Sequence, residues 1–97
     1  MKVQIVGIPW YRKEDYAKLL TLFEDADNMP DTYEDWLAKA KEARETFERH
    51  GATCIEALIE PNQFPGWCAE NGHKLNAQGR AVFARERAKQ SNWSSTI

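Results

Sequence analysis

The chain has 97 residues, of which 42% are apolar and 29% are charged, and its formal net charge at pH 7 is −2. The apolar fraction excludes a mostly disordered chain, and the length suits one small domain. A nearly neutral charge gives no whole-molecule attraction to nucleic acid or anionic membranes. The apolar runs are shorter than the ~20 residues of a bilayer span. The composition therefore disfavours nucleic acid as a partner, and we expect no membrane partner.

Cysteine usage and the N-terminus bear on the cellular compartment. Cys54 and Cys68 are the two cysteines, too few for a disulfide framework in a chain of this size. The apolar patch that ends at Pro9 is too short for a signal peptide. We predict a cytoplasmic protein with both thiols reduced.

The first half of the chain predicts one strand and two helices. The β-branched run 3–8 predicts a strand that ends at Pro9, which cannot donate to a ladder. From Arg12 the period changes to that of an amphipathic helix. After a loop at 25–30, the spacing of Asp31 and Glu34 predicts a helix with a capping box. Its buried stripe comprises Trp36, Leu37, Ala40, Ala43 and Phe47.

The second half predicts a strand and two further helices. Gly51 fits a left-handed C-cap of the preceding helix, and alternation over 52–60 predicts the second strand. A short helix from Asn62 should stop at Gly72. The last helix is predicted over 76–90, and residues 91–97 are expected to form a flexible tail.

These elements predict a single α+β domain over residues 1–90, with the order β-α-α-β-α-α. If each element reverses direction, the two strands form an antiparallel ribbon packed with helices. A two-stranded ribbon is marginal by itself and leaves both edges open. We therefore expect a homodimer of C2 symmetry whose partner completes the sheet or covers it.

Six carboxylates and no Lys or Arg lie in the acidic segment 24–35. An EF-hand that starts at Asp25 would place Met29 at a ligand position, Pro30 at the obligatory Gly and Trp36 at the bidentate Glu. The segment therefore does not match a calcium loop. Acidic residues there favour the N-terminus of the second helix through its dipole.

His50, Cys54, Cys68 and His73 have ligand types that would suit tetrahedral zinc. Their order and spacing match no familiar zinc motif, and Cys54 lies within a predicted strand, where a thiol packs as a small hydrophobe. A Cys68–His73 nucleophile pair lacks a recognisable oxyanion hole or orienting acid. We predict no metal, no cofactor and no catalytic residue.

The basic segment 73–90 carries a local charge of +4, because it contains five Lys and Arg residues and one acidic residue, Glu86. With the short helix before it, this segment has the outline of a helix-turn-helix. Its charges are spread around the helix, however, and not collected in one stripe. The alternatives are DNA contact, a solvated helix face, or a partner for the acidic segment. We expect the acidic and basic segments to meet, within a chain or across a dimer.

Aromatic residues add a further candidate contact. Trp36 and Trp67 lie on apolar stripes and are predicted to be buried, whereas Trp10 and Tyr11 lie between a strand end and a helix start, where exposure is expected. Together with the charged segments they give a predicted interaction surface: Trp10, Tyr11, Asp25, Asp27, Asp31, Arg80 and Arg87.

Three segments, IPWYR at 8–12, PDTYEDWL at 30–37 and FPGWC at 64–68, resemble a family of small bacterial proteins of unknown function. The resemblance covers roughly residues 8–88 and implies a bacterial cytosolic protein. It carries over no activity, cofactor or catalytic residue. Its signature positions would be Trp10, Tyr11, Asp31, Tyr33, Trp36, Trp67 and Cys68.

The sequence thus favours a small non-enzymatic module that self-associates and binds protein. One alternative is a nucleic-acid accessory protein that uses the basic C-terminal helix. A second alternative is a Cys/His metal-binding protein.

Overall fold

The computed structural model describes the backbone of residues 4–96 and the side chains of residues 4–90. Over these residues the chain is α+β, with a two-stranded sheet, four α-helices and a 3-10 turn at Ala26–Asn28. The predicted flexible tail, 91–97, lies outside the residues whose side chains are described. The elements are β1 (Gln4–Trp10), α1 (Lys13–Leu22), α2 (Tyr33–Arg49), β2 (Ala52–Leu58), α3 (Phe64–Asn71) and α4 (Ala77–Thr96).

The two strands pair in parallel, in a register that runs from Gln4 opposite Ala52 to Trp10 opposite Leu58. The element order matches the prediction, but the predicted antiparallel ribbon is wrong.

The path of α1 explains the parallel pairing. This helix packs against α2 and the 3-10 turn and does not run back along the sheet. The first turn of α2 lies at the carboxyl end of β1, where the Trp36 and Trp10 ring centroids are 5.2 Å apart. Farther along α2, Arg44 pairs with Glu56 in β2. Helix α2 alone therefore returns the chain to the start of the sheet, and β2 then runs in the direction of β1.

Helices cover both faces of the sheet. One face is covered by α2, because Arg44 of that helix contacts Trp10, Cys54 and Glu56, which all point to this face. Gly7 points to the opposite face because successive side chains alternate. A Cβ at Gly7 would overlap the carbonyl oxygen of Ala84 in α4. The absence of a side chain at Gly7 thus lets α4 lie directly on β1.

Local signals set several helix ends. Helix α2 begins after Thr32, whose side chain accepts a hydrogen bond of 3.1 Å from the Asp35 backbone N–H. The N-cap is therefore one residue later than the predicted Asp31, because a hydroxyl there reaches the third helical N–H. Gly51 and Gly72 adopt φ values of 89° and 70°, which confirms the left-handed C-cap predicted at Gly51 and the helix stop predicted at Gly72. In the described part of the chain, each helix is too short or too polar to cross a membrane.

Candidate interaction surface

An aromatic cluster closes the carboxyl end of the sheet. Trp36 is 8% exposed, and its ring centroid lies 4.6 Å from that of Tyr11 and 6.1 Å from that of Tyr16. The Tyr16 hydroxyl donates a hydrogen bond of 2.6 Å to the Pro30 carbonyl oxygen. The predicted burial of Trp36 is confirmed. Its ring neighbours come from β1, from α1, from the segment that joins them and from Tyr33 of α2 itself.

Tyr11 does not belong to an exposed contact, contrary to the expectation for it. It is 3% exposed because the first turn of α2 folds over the end of β1 and covers its ring. Burial raises the pKa of the Tyr11 hydroxyl, and Arg80 nearby opposes that rise. Tyr11 therefore stays protonated at neutral pH and acts as a core residue. Trp10 is half-buried, with the Arg44 guanidinium 5.4 Å from its ring centroid.

Asp25 and Arg80 form a paired site where the acidic segment meets α4. The two guanidinium nitrogens Nη1 and Nη2 each donate a hydrogen bond of 2.8 Å to one carboxylate oxygen. The same guanidinium lies 4.5 Å from the Phe23 ring centroid. Beside it, the Glu24 backbone N–H donates to the Leu75 carbonyl oxygen at 2.8 Å. The expected meeting of acidic and basic segments is thus confirmed within one chain at this pair.

The pairing changes the electrostatics of both groups. The hydrogen bonds from Arg80 hold the pKa of the Asp25 carboxyl below its ordinary value. Burial is the largest single influence and lowers the pKa of Arg80, but the hydrogen bonds with Asp25 and the electrostatic interactions with Tyr11, Asp25 and Tyr16 together leave that pKa raised. Arg80 is only 7% exposed. This pair therefore holds the loop on the core and is not an exposed contact, which corrects the prediction for Asp25 and Arg80.

The remaining members of the predicted surface are exposed but do not form a cluster with that pair. Asp27 lies in the 3-10 turn, Asp31 just before α2 and Arg87 on α4. The Arg87 guanidinium stacks 4.9 Å from the Phe83 ring centroid. The predicted interaction surface is therefore divided between core residues and separate solvated side chains.

Cys54, Cys68 and His73 pack against neighbouring parts of the fold, whereas His50 is exposed at the end of α2. Cys68 is buried, which raises the pKa of its thiol, and its Sγ lies 3.7 Å from the Lys74 carbonyl oxygen. Burial also raises the pKa of Cys54, whose Sγ lies 3.8 Å from the Arg44 carbonyl oxygen. The His73 ring stacks on Trp67 at 5.3 Å. Within the described residues, no group of three or more His, Cys, Asp or Glu side chains could hold a metal ion.

An apolar face of α2 is left uncovered. Trp36, Ala40, Ala43 and Phe47 share one helical face by their spacing. The first two are buried against the core, whereas Ala43 is exposed and Phe47 is 42% exposed. The predicted burial of Ala43 and Phe47 is therefore wrong. A shallow groove of about 520 Å³ follows this part of α2, lined by Lys39, Glu42, Ala43, Thr46 and Phe47.

Leu58 at the end of β2 is the other large exposed hydrophobic side chain among the described residues, at 37%. A signal for its exposure was present in the sequence, because the alternation of β2 places Leu58 on the same face as Glu56. No comparable signal marked Phe47, since its periodicity is that of a buried stripe. Its exposure follows from a sheet of two strands, which is too narrow to cover all of α2.

Comparison of the chain with protein-family models, with curated proteins and with solved structures gave no match.

Proposed function

We propose that this protein is a small non-enzymatic interaction module that works by self-association. The observation that carries the proposal is that the apolar stripe of α2 is longer than the part of it that the two-stranded sheet and its neighbours cover. Ala43 and Phe47 continue the stripe that buries Trp36 and Ala40, yet the two-stranded sheet leaves them exposed. In this proposal, these exposed apolar side chains, which extend a buried stripe, form the surface that a protein partner covers.

The type of sheet supports the same proposal. Parallel sheets occur almost only with helices on both faces, and they commonly contain more than two strands. Here β1 and β2 have helices on both faces, as in a larger parallel sheet, but between residues 4 and 96 the sheet has only one ladder of backbone hydrogen bonds. Each strand thus has an outer edge that a further strand could use. A second copy of the chain is the simplest partner, because it requires no other protein.

The alternatives have less support from the geometry. Binding of nucleic acid through α4 would have to use a segment in which Arg80 is already paired with Asp25. That leaves a smaller electrostatic footprint than the sequence predicts. Metal binding through the Cys and His residues would require Cys68 to leave the core, where it is 2% exposed.

Light scattering coupled to gel filtration tests the proposal. At tens of micromolar we expect a mass near twice the 11.2 kDa of the chain, and dilution should shift it towards one chain. A mass of 11.2 kDa throughout that range would overturn self-association. Salt-dependent retention on DNA, or stoichiometric zinc by elemental analysis, would instead support one of the two alternatives.

A further inference from the structure

The direction of each backbone group in the sheet follows from one hydrogen bond. The Ile59 N–H donates to the Trp10 carbonyl oxygen at 2.8 Å. In a parallel ladder, every second residue of a strand directs both its N–H and its C=O to the neighbouring strand. The residues between them direct both groups away from it. Together with the register, this places the backbone groups of Ile5, Gly7 and Pro9 on the outer edge of β1. Those of Cys54, Glu56 and Leu58 lie on the outer edge of β2.

The two outer edges differ in their capacity to accept a strand. Pro9 has no N–H, so the β1 edge lacks a hydrogen-bond donor near its end. Proline at such a position is common in edge strands that pair with no further strand. The β2 edge contains no proline between Ala52 and Leu58. Within the described residues, the outward groups of Cys54, Glu56 and Leu58 bond to no other segment. The β2 edge therefore offers a complete set of donors and acceptors.

We infer that a second copy of this chain pairs its β2 with β2, antiparallel and about a twofold axis. This inference rests on the proposed self-association and names the surface that mediates it. The result is a four-stranded sheet with the order β1-β2-β2-β1. The two central β2 strands pair in antiparallel fashion, and each β1 remains parallel to the β2 of its own copy. A twofold axis requires each edge to pair with itself, and an edge-to-edge contact between two β2 strands meets that requirement.

Charge at the β2 edge is compatible with this pairing. Two copies of Glu56 would approach each other near the axis, and like charges placed opposite each other destabilise strand pairs. In each copy, however, Glu56 is already paired with Arg44. The remaining side chains of β2 are uncharged. This edge thus lacks the unpaired charges by which natural edge strands resist association.

The same pairing accounts for the exposed apolar side chains. Leu58 lies on the β2 edge strand, so an added strand would place side chains of the second copy beside it. A sheet of four strands is also wider beneath α2, on the face to which Trp10 and Glu56 point. Phe47 and Ala43 could then be covered in the way that Trp36 and Ala40 already are.

Two variants at one position separate backbone from side-chain effects. Leu58→Pro removes the outward N–H, whereas Leu58→Ala retains it and removes most of the same side chain. Since a twofold dimer loses the bond in both copies, Leu58→Pro should raise the dimer Kd about 30-fold relative to Leu58→Ala. Equal Kd values for the two variants, with both folded by circular dichroism, would overturn the β2 edge.

Hydrogen exchange on the unmodified chain gives a second test that does not depend on a variant folding. The amides of Glu56 and Leu58 should become protected as concentration rises through the dimer Kd, while those of Ile5 and Gly7 should not change. Concentration-dependent protection at Ile5 and Gly7 instead would place the interface on β1. In that case self-association stands and the inference fails, whereas a chain that is monomeric throughout overturns the proposed function itself.

Discussion

Arg80 and Asp25, 55 residues apart in sequence, are joined by two parallel hydrogen bonds of 2.8 Å, with the Phe23 ring beneath the guanidinium. A two-pronged pair of this kind fixes orientation as well as distance. The pair attaches the segment between α1 and α2 to α4. It therefore holds that segment in position together with the backbone hydrogen bond from Glu24 to Leu75.

Replacement of one partner should show the strength of this contact. Asp25→Asn leaves the nearly buried guanidinium of Arg80 without its counter-charge, and we expect a loss of about 2–3 kcal/mol in the free energy of unfolding, as for a hydrogen bond to a charged group. Asp27→Asn is the matched control, because Asp27 is an exposed carboxylate of the same segment; its effect should stay within about 0.5 kcal/mol. Equal effects of the two changes in urea unfolding would show that the pair contributes no more than a solvated charge.

The lowered pKa of Asp25 predicts a dependence of stability on pH. A carboxyl whose pKa is lower in the folded than in the unfolded state stabilises the fold above its unfolded pKa, about 3.9 for Asp. That contribution is lost as the pH falls through the folded pKa. The free energy of unfolding of the parent should therefore fall more steeply below about pH 4 than that of Asp25→Asn. Parallel curves from pH 7 to pH 2 would contradict the assignment.

The sequence predicted local features well because their causes are local. Gly51 and Gly72 end helices through a backbone conformation that glycine favours, and Trp36 is buried as its stripe predicts. The strand direction was wrong because it depends on where α1 packs, which no periodicity records. Similarly, six acids and five bases offered many pairings, and only the fold brings Asp25 to Arg80.

Trp36 should be a major contributor to stability. Its ring contacts those of Trp10, Tyr11 and Tyr16, so Trp36→Ala would leave a large cavity at the carboxyl end of the sheet. We expect a cost of about 3–5 kcal/mol, a large fraction of the total stability of a domain of this size. Trp36→Phe keeps an aromatic ring there and should cost less than half as much. Thermal unfolding measures both, and an unchanged midpoint for Trp36→Ala would mean that the cluster does not stabilise the fold.

Two glycines should respond in opposite directions to the same change. At Gly7, an added methyl group would overlap the Ala84 carbonyl oxygen, a backbone atom that can move only if α4 shifts on the sheet. Gly7→Ala should therefore destabilise the fold by about 1–3 kcal/mol or more. Gly66 lies within α3, and a methyl group there meets no atom within 4 Å. Gly66→Ala should stabilise the fold by about 0.5–1 kcal/mol, since alanine is the better helix former.

Denaturant unfolding of these two variants measures how closely α4 lies on β1. Both substitutions add one methyl group and remove the same backbone freedom from the unfolded chain. The difference between their free energies of unfolding therefore reports the local space around each position. A Gly7→Ala protein as stable as Gly66→Ala would require α4 to stand farther from the sheet than its contact with Gly7 implies. Opposite signs would establish that the close approach at Gly7 holds α4 against the strand.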